Sequence, residues 1–215
     1  MNKLAIFDLD GTLIDSLPDI LDSVNVTMRE FFHNERTYDD VRKFIGCGAR
    51  KLIEDCIGEQ LVEEEFIKRL NFYNDFYTNS NSPKTKVYDG IKEVLIELKK
   101  RGYYIAVVTN KPQMTTDNVM LNYFKDIIFD EVVGMTEFRK RKPDPTSTLS
   151  ILEKFNVSKE NAFFVGDAET DFKTSINAGI NGVSVLWGYR TKEELEKVGA
   201  SNFVDEPYKL LDILK

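Results

Sequence analysis

The sequence predicts an α/β fold, a Rossmann-like doubly wound parallel sheet with an α-helical cap inserted into it. Three observations carry this expectation. From residue 85 onward, short continuous apolar runs alternate with amphipathic runs of helical length. One more apolar run, Lys3–Asp8, stands alone near the N-terminus. Residues 15–84 break the alternation and carry only helical spacing.

The elements follow in order. Lys3–Asp8 is a first strand ending on carboxylates. Tyr103–Thr109, Ile127–Gly134, Ala162–Gly166 and Gly182–Trp187 are further strands, with a shorter one at Asn202–Val204. Their apolar character is continuous, which implies burial on both faces of the sheet. Helices are expected at Asp89–Arg101, Pro112–Phe124, Pro145–Phe155, Glu169–Ala178, Lys192–Val198 and Pro207–Leu214. Gly102 suits a C-terminal cap and Pro112 a first helical turn. Between residues 15 and 84, apolar residues fall at helical spacing in Ile20, Leu21, Val24, Met28, Phe31 and Phe32. They do so again from Leu61 to Tyr77, and no convincing strand is expected there. The polar stretch Thr78–Lys86, with Asn79, Ser80, Asn81, Ser82 and Pro83, reads as a linker. The expected division is therefore residues 1–14 and 85–215 as core and 15–84 as cap.

Composition narrows the function. With 215 residues the chain suits one domain carrying an insertion. Its 29 basic and 36 acidic residues give a formal net charge of −7, which disfavours a nucleic-acid backbone as partner. No apolar run approaches the roughly 20 residues needed to cross a bilayer, so no membrane partner is expected. The start, MNKLAIFDLDG, lacks the features of a signal peptide. Cys47 and Cys56 form no CxxC pattern, and His33 is the single histidine. A disulfide framework, a zinc finger and a His-rich metal site are therefore not expected, and a cytoplasmic location is. The N-x-[ST] matches at Asn25 and Asn156 are then chance matches.

Open parallel sheets bind ligands at the carboxyl ends of their strands. The first strand end supplies Asp8, Asp10, Gly11 and Thr12, and the second Thr109, Asn110 and Lys111. The fourth supplies Asp167, Glu169 and Asp171, and Lys142 lies just before a helix. Carboxylates gathered in one crevice repel one another and call for a cation. Oxygen ligands without His or Cys favour a hard ion, most plausibly Mg²⁺. Lys142 and Thr109 suit phosphate oxygens, and Gly11 permits a tight turn that presents amide groups to an anion. The composite points to phosphoryl chemistry. Of Asp8 and Asp10, one can attack phosphorus and the other can exchange a proton with the leaving group and with water. An unperturbed Asp has a pKa of about 3.9, so the acid role requires an environment that raises it.

The run Phe7-Asp8-Leu9-Asp10-Gly11-Thr12-Leu13-Ile14-Asp15-Ser16 resembles the first motif of the haloacid dehalogenase-like hydrolase superfamily. Thr109, Lys142 and Gly166-Asp167-x-x-x-Asp171 resemble its other three motifs in order, and the likeness spans the chain, cap included. The resemblance implies Asp8 as nucleophile and Asp10 as general acid/base. It implies phosphate binding by Thr109, Asn110 and Lys142, and Mg²⁺ held by Asp8, the Asp10 carbonyl and Asp167. Asp171 would support a metal water or Lys142. Within the superfamily, Val107–Pro112, the stretch Asp15–Ile20 and Trp187-Gly188-Tyr189 look like phosphoglycolate phosphatases. Pyrophosphatases and broad sugar-phosphate or nucleotide phosphatases are the near alternatives. A sugar-phosphate mutase is disfavoured because Leu17–Leu21 contains no histidine. A non-catalytic phosphate sensor is disfavoured because Asp8 and Asp10 are both intact. A dinucleotide oxidoreductase is disfavoured because no G-x-G-x-x-G follows the first strand. The glycine-bearing stretch Ile45–Lys51 falls where such enzymes place a specificity loop, so Arg50 or Lys51 is expected to face the non-reacting end of an anionic substrate. The expected partner is a small phosphate ester, and the chain a monomer or homodimer.

Overall fold

The computed structural model describes residues 2–80 and 83–215. Its central sheet has six strands in the order β5-β4-β1-β6-β7-β8, with every neighbouring pair parallel. The strands are β1 (Lys3–Phe7), β4 (Tyr103–Pro112), β5 (Glu131–Met135), β6 (Ala162–Gly166), β7 (Asn181–Val185) and β8 (Phe203–Val204). The helices α5 (Ile91–Lys100), α6 (Gln113–Tyr123), α7 (Thr146–Lys154), α8 (Glu169–Ala178), α9 (Lys192–Glu196) and α10 (Leu210–Ile213) alternate with them.

β1 shows why the strands read as continuous apolar runs. Leu4, Ala5, Ile6 and Phe7 are all fully buried. Ala5 and Phe7 join Ile105, Val107 and the α5 residues Val94, Leu95 and Leu98 on one face. Leu4 and Ile6 join Ala106, Val108, Ile151 and Leu152 on the other. Successive side chains point to opposite faces, so a strand covered on both sides must be apolar at every position.

The chain runs outward from β1 through β4 to β5, then returns beside β1 at β6. The order reverses at β1, and such a reversal opens a crevice beyond the carboxyl ends of the strands. Asp8 and Asp10 follow β1, Thr109 to Lys111 end β4, and Asp167 follows β6.

Among the described residues between 16 and 85 stand four helices: α1 (Leu17–Glu30), α2 (Tyr38–Phe44), α3 (Ala49–Ile57) and α4 (Glu63–Asn79). They enclose their own apolar cluster, including Leu17, Ile20, Val24, Met28, Leu52, Ile53, Phe66 and Tyr73. Tyr189, from the loop after β7, packs into the same cluster and ties cap to core.

Several local expectations need correction. A two-residue strand, β2 (Ile14–Asp15), straddles the start of the stretch expected to lack strands and pairs antiparallel with β3 (Lys86–Val87). Two residues carry no readable alternation, so the ribbon where the cap leaves and rejoins the core was invisible in the pattern. The expected linker is part helix, since Thr78 and Asn79 end α4. Asn81 and Ser82 of that linker lie outside the described residues. Pro112 closes β4 and precedes α6 rather than sitting inside it. The expected strand from Ile127 starts only at Glu131, and the last expected helix divides into a short turn of tighter helix at Pro207–Lys209 and α10.

Candidate active site

The site is built on the carboxyl ends of β1, β4 and β6. Asp8 leaves β1 with its N–H still donating to the Val165 carbonyl of β6, at 2.9 Å, so its backbone is an extension of the sheet. Its carboxylate is buried and pairs with the Lys142 ammonium at 2.7 Å. The same ammonium donates to Asp171 at 2.6 Å, and all three side chains are nearly inaccessible. Lys142 therefore bridges the loop after β1 and the first turn of α8.

Other groups lock these positions. The Ala168 N–H donates to the second Asp171 oxygen at 2.9 Å, at the N-terminus of α8, where negative charge is favoured. The Asn110 side-chain carbonyl accepts from the Lys142 N–H at 2.8 Å, and its amide donates to the Lys142 carbonyl and to Gly46 of the cap. The Asn110 side chain is thus occupied in holding Lys142 and the cap, leaving its backbone as the part that could meet a phosphate. Thr109 is buried on the cavity wall, and its hydroxyl accepts from the Lys111 N–H at 3.3 Å.

Asp167 accepts from the Thr12 hydroxyl at 3.0 Å and from the Tyr189 N–H at 2.8 Å. Gly11 has φ +87°, and a Cβ there would stand 2.3 Å from an Asp167 carboxylate oxygen. The turn expected at Gly11 is therefore demanded both by the backbone conformation and by the approach of Asp167.

Asp8, Asp167 and Asp171 each bring a carboxylate oxygen within 4.8 Å of the others. Burial pushes the Asp8 carboxyl up to about 7 against the pull of Lys142, with the negative Asp171 adding to the rise. Burial pushes Asp167 up to about 8, aided by Asp171 and Asp8. Burial also opposes the charge of Lys142, but Asp171 and Asp8 outweigh it and hold its pKa above the ordinary lysine value. One ammonium cannot neutralise three buried carboxylates, so without a metal the cluster holds protons on an all-oxygen donor set. That arrangement could hold a hard cation.

Asp10 turns away from this cluster. Its carboxylate accepts from the Ser16 hydroxyl at 2.5 Å and from the Lys111 ammonium at 2.8 and 3.1 Å. Lys111 also donates to the Tyr77 hydroxyl of α4 at 2.6 Å. Asp8, Asp10, Thr109, Asn110 and Asp167 line a cavity of about 50 Å³ between core and cap. Its apolar walls include Ile20, Ile45, Ala49 and Leu52, and its polar ones Asn74 and Lys111.

Arg50 and Lys51 do not reach this cavity. Arg50 is partly exposed, bonded to Glu63 at 2.7 Å and to Glu54 at 3.1 Å, and lies over the Phe66 ring. Lys51 pairs with Asp55 one turn on along α3. Acidic neighbours on α3 and α4 hold both cations on the outer side of the cap, while the Gly46 and Gly48 backbone faces inward.

The cations on the cavity wall are instead Lys111 and Arg190. Arg190 donates to Glu169 and to the carbonyls of Arg42, Lys43 and Ile45, clamping the end of α2 to the core. The Tyr189 hydroxyl accepts from the Ser16 and Leu17 N–H groups and so satisfies the start of α1. Lys111 stands two residues beyond Thr109 at a strand end, a position that was readable. Tyr77 was hidden in an apolar helical stripe, where its hydroxyl carried no signal.

The family model for haloacid dehalogenase-like hydrolases matches residues 5–185. The chain belongs to the haloacid dehalogenase-like hydrolase family. It is 30% identical over 219 residues to a phosphoglycolate phosphatase of Psychrobacter arcticus, covering 99% of this chain and 95% of that one. It is 34% identical over 187 residues to a phosphoglycolate phosphatase of Aquifex aeolicus, covering 87% and 86% of the two. The crystal structure of a predicted phosphoglycolate phosphatase from Haemophilus somnus superposes with a TM-score of 0.91 at 28% identity, over 100% of this chain and 98% of the other. No helix among the described residues is long and apolar enough to cross a membrane.

Proposed function

We propose that this hydrolase is a Mg²⁺-dependent phosphatase of small phosphate monoesters, with phosphoglycolate as its best substrate. The observation that carries the reading is Lys142 bridging Asp8 and Asp171 beside Asp167 at the point where the sheet order reverses. A phosphate dianion brought there meets one ammonium, the Thr109 hydroxyl and a carboxylate positioned to attack. Asp8, Asp167 and the Asp10 carbonyl would hold the ion, with Asp171 beside them. When bound, Mg²⁺ offsets the charge of the carboxylates and of the phosphate.

In the first step an Asp8 oxygen bonds to phosphorus and the ester P–O bond breaks. The leaving oxygen takes a proton from Asp10, and an aspartyl-phosphate remains on Asp8. In the second step water gives a proton to Asp10 and bonds to phosphorus. The bond to Asp8 breaks, inorganic phosphate leaves and both aspartates return to their starting states. Lys142 and Thr109 hold phosphate oxygens through both steps, and the apolar cap wall limits the water beside Asp8.

The names of the relatives support a small substrate. The test is phosphate release from phosphoglycolate, pyrophosphate, hexose phosphates and nucleotides, with Mg²⁺ and with chelator. The expected result is the highest kcat/KM on phosphoglycolate, loss of activity in chelator, and slow turnover in Asp10→Asn. Full activity in excess chelator would overturn the reading.

A further inference from the structure

The Lys111 ammonium is almost inaccessible, with 3% of its side chain exposed. Lys142 pairs with Asp8, the group assigned to phosphorus, while Lys111 pairs with Asp10, the group assigned to the leaving oxygen. A cation beside the leaving-group acid lies beside the leaving group itself.

The partners of Lys111 leave it able to do more than pair. The ammonium donates to the two Asp10 oxygens at 2.8 and 3.1 Å and to the Tyr77 hydroxyl at 2.6 Å. Those contacts use its three N–H groups, so a substrate carboxylate would take the place of the longer Asp10 contact. The Tyr77 ring, 4.6 Å from the nitrogen, helps keep the charge in place. Arg190, the other cation on the wall, has its guanidinium committed to Glu169 and three cap carbonyls. Asn74 of α4 adds an amide that has no hydrogen-bond partner among the described residues. The rest of that wall is apolar, formed by Ile20, Ile45 and Leu52, so a charge there meets little competing water.

We propose that Lys111, presented by β4 and steadied by Tyr77 of the cap, is a specificity residue that receives a carboxylate on the leaving-group side of the ester. The proposal deepens the phosphatase reading and rests on it. It assigns the substrate class as short phosphate esters with an anionic tail. It also explains how the cap contributes to selection without Arg50, because Tyr77 reaches Lys111 only with α4 docked on the core.

The experiment compares kcat/KM for phosphoglycolate with that for hydroxyethyl phosphate, a neutral-tailed ester of similar size. Wild type should prefer phosphoglycolate. Lys111→Met removes the charge at similar length and should cut that preference by roughly tenfold to a hundredfold, as expected for a lost charge-assisted hydrogen bond. Most of the change in preference should appear in KM for phosphoglycolate. Lys111→Arg should retain most of the preference, and Tyr77→Phe should lose part of it. These two variants keep the test decisive if Lys111→Met does not fold. An equal fall for both esters in Lys111→Met, or an unchanged preference in Tyr77→Phe and Lys111→Arg alike with no wild-type bias, overturns the assignment while phosphate release in wild type keeps the phosphatase reading. A folded wild type that releases phosphate from no ester overturns both.

Discussion

The raised carboxylates make the metal-free protein sensitive to pH in a defined direction. The folded chain holds protons on Asp8 up to about 7 and on Asp167 up to about 8. In the unfolded chain both titrate near the ordinary Asp value of about 3.9. Between those limits the folded state binds more protons than the unfolded state. Stability from this source is therefore complete below about pH 4 and drains away as pH rises through about 7 and then about 8. From about pH 6 to about pH 8 the two mutually repelling carboxyls together lose on the order of a few kcal/mol. For a chain of this size that corresponds to a fall in Tm of roughly 10 °C. Protons and a divalent cation compete for the same oxygens, so Mg²⁺ should raise Tm more at pH 8 than at pH 6. Thermal unfolding followed by circular dichroism, with EDTA and with saturating Mg²⁺, measures both effects. Asp167→Asn should flatten the pH dependence and remove most of the Mg²⁺ effect. A metal-free Tm that is level or rising over this range, or a Mg²⁺ increment equal at both pH values, would refute the reasoning.

Two further predictions concern the cap. Tyr189→Phe strips the hydroxyl that accepts from Ser16 and Leu17 at 2.9 and 3.1 Å. It should cost about 1–3 kcal/mol, read as a lower midpoint in urea, because the buried Ser16 N–H loses its acceptor and Leu17 keeps only the 3.3 Å contact to Asp15. An unchanged midpoint would contradict the role given to Tyr189. Arg50→Ala removes partly exposed ion pairs to Glu54 and Glu63 and should cost less than about 1 kcal/mol. It should leave KM for phosphoglycolate within about twofold, as for a surface change away from the cavity; a large rise in KM would return Arg50 to the site.

The parallel core was legible because its strands are buried on both faces, and nothing but a continuous apolar run satisfies that. β1, with Leu4 to Phe7 all buried, is the clearest case. The acidic groups were legible because chemistry in such folds collects at strand ends, and Asp8, Asp167 and Asp171 do meet there with Lys142. The cap was legible only as helical. α2 is a single seven-residue helix with one buried residue, Val41, too little for a periodic signal. The polar side of the cavity was harder still. Arg50 lies near glycines in the chain, but its charge is satisfied by Glu54 and Glu63, and Glu63 begins a different helix. Lys111 and Tyr77 meet only because folding brings the last turns of α4 to the end of β4, a contact between residues far apart in sequence. Spacing along a chain predicts faces of helices and strands, not which charges on separate elements neutralise one another.

The central claim is that Asp8 carries phosphate covalently during turnover. Rapid quenching of the enzyme with phosphate-labelled substrate in acid, followed by peptide mapping, tests it most directly. The account predicts label on the peptide containing Asp8 in wild type, lost on treatment with hydroxylamine and absent from Asp8→Asn. Steady phosphate release in Asp8→Asn at the wild-type rate, or label carried elsewhere than Asp8, would contradict it.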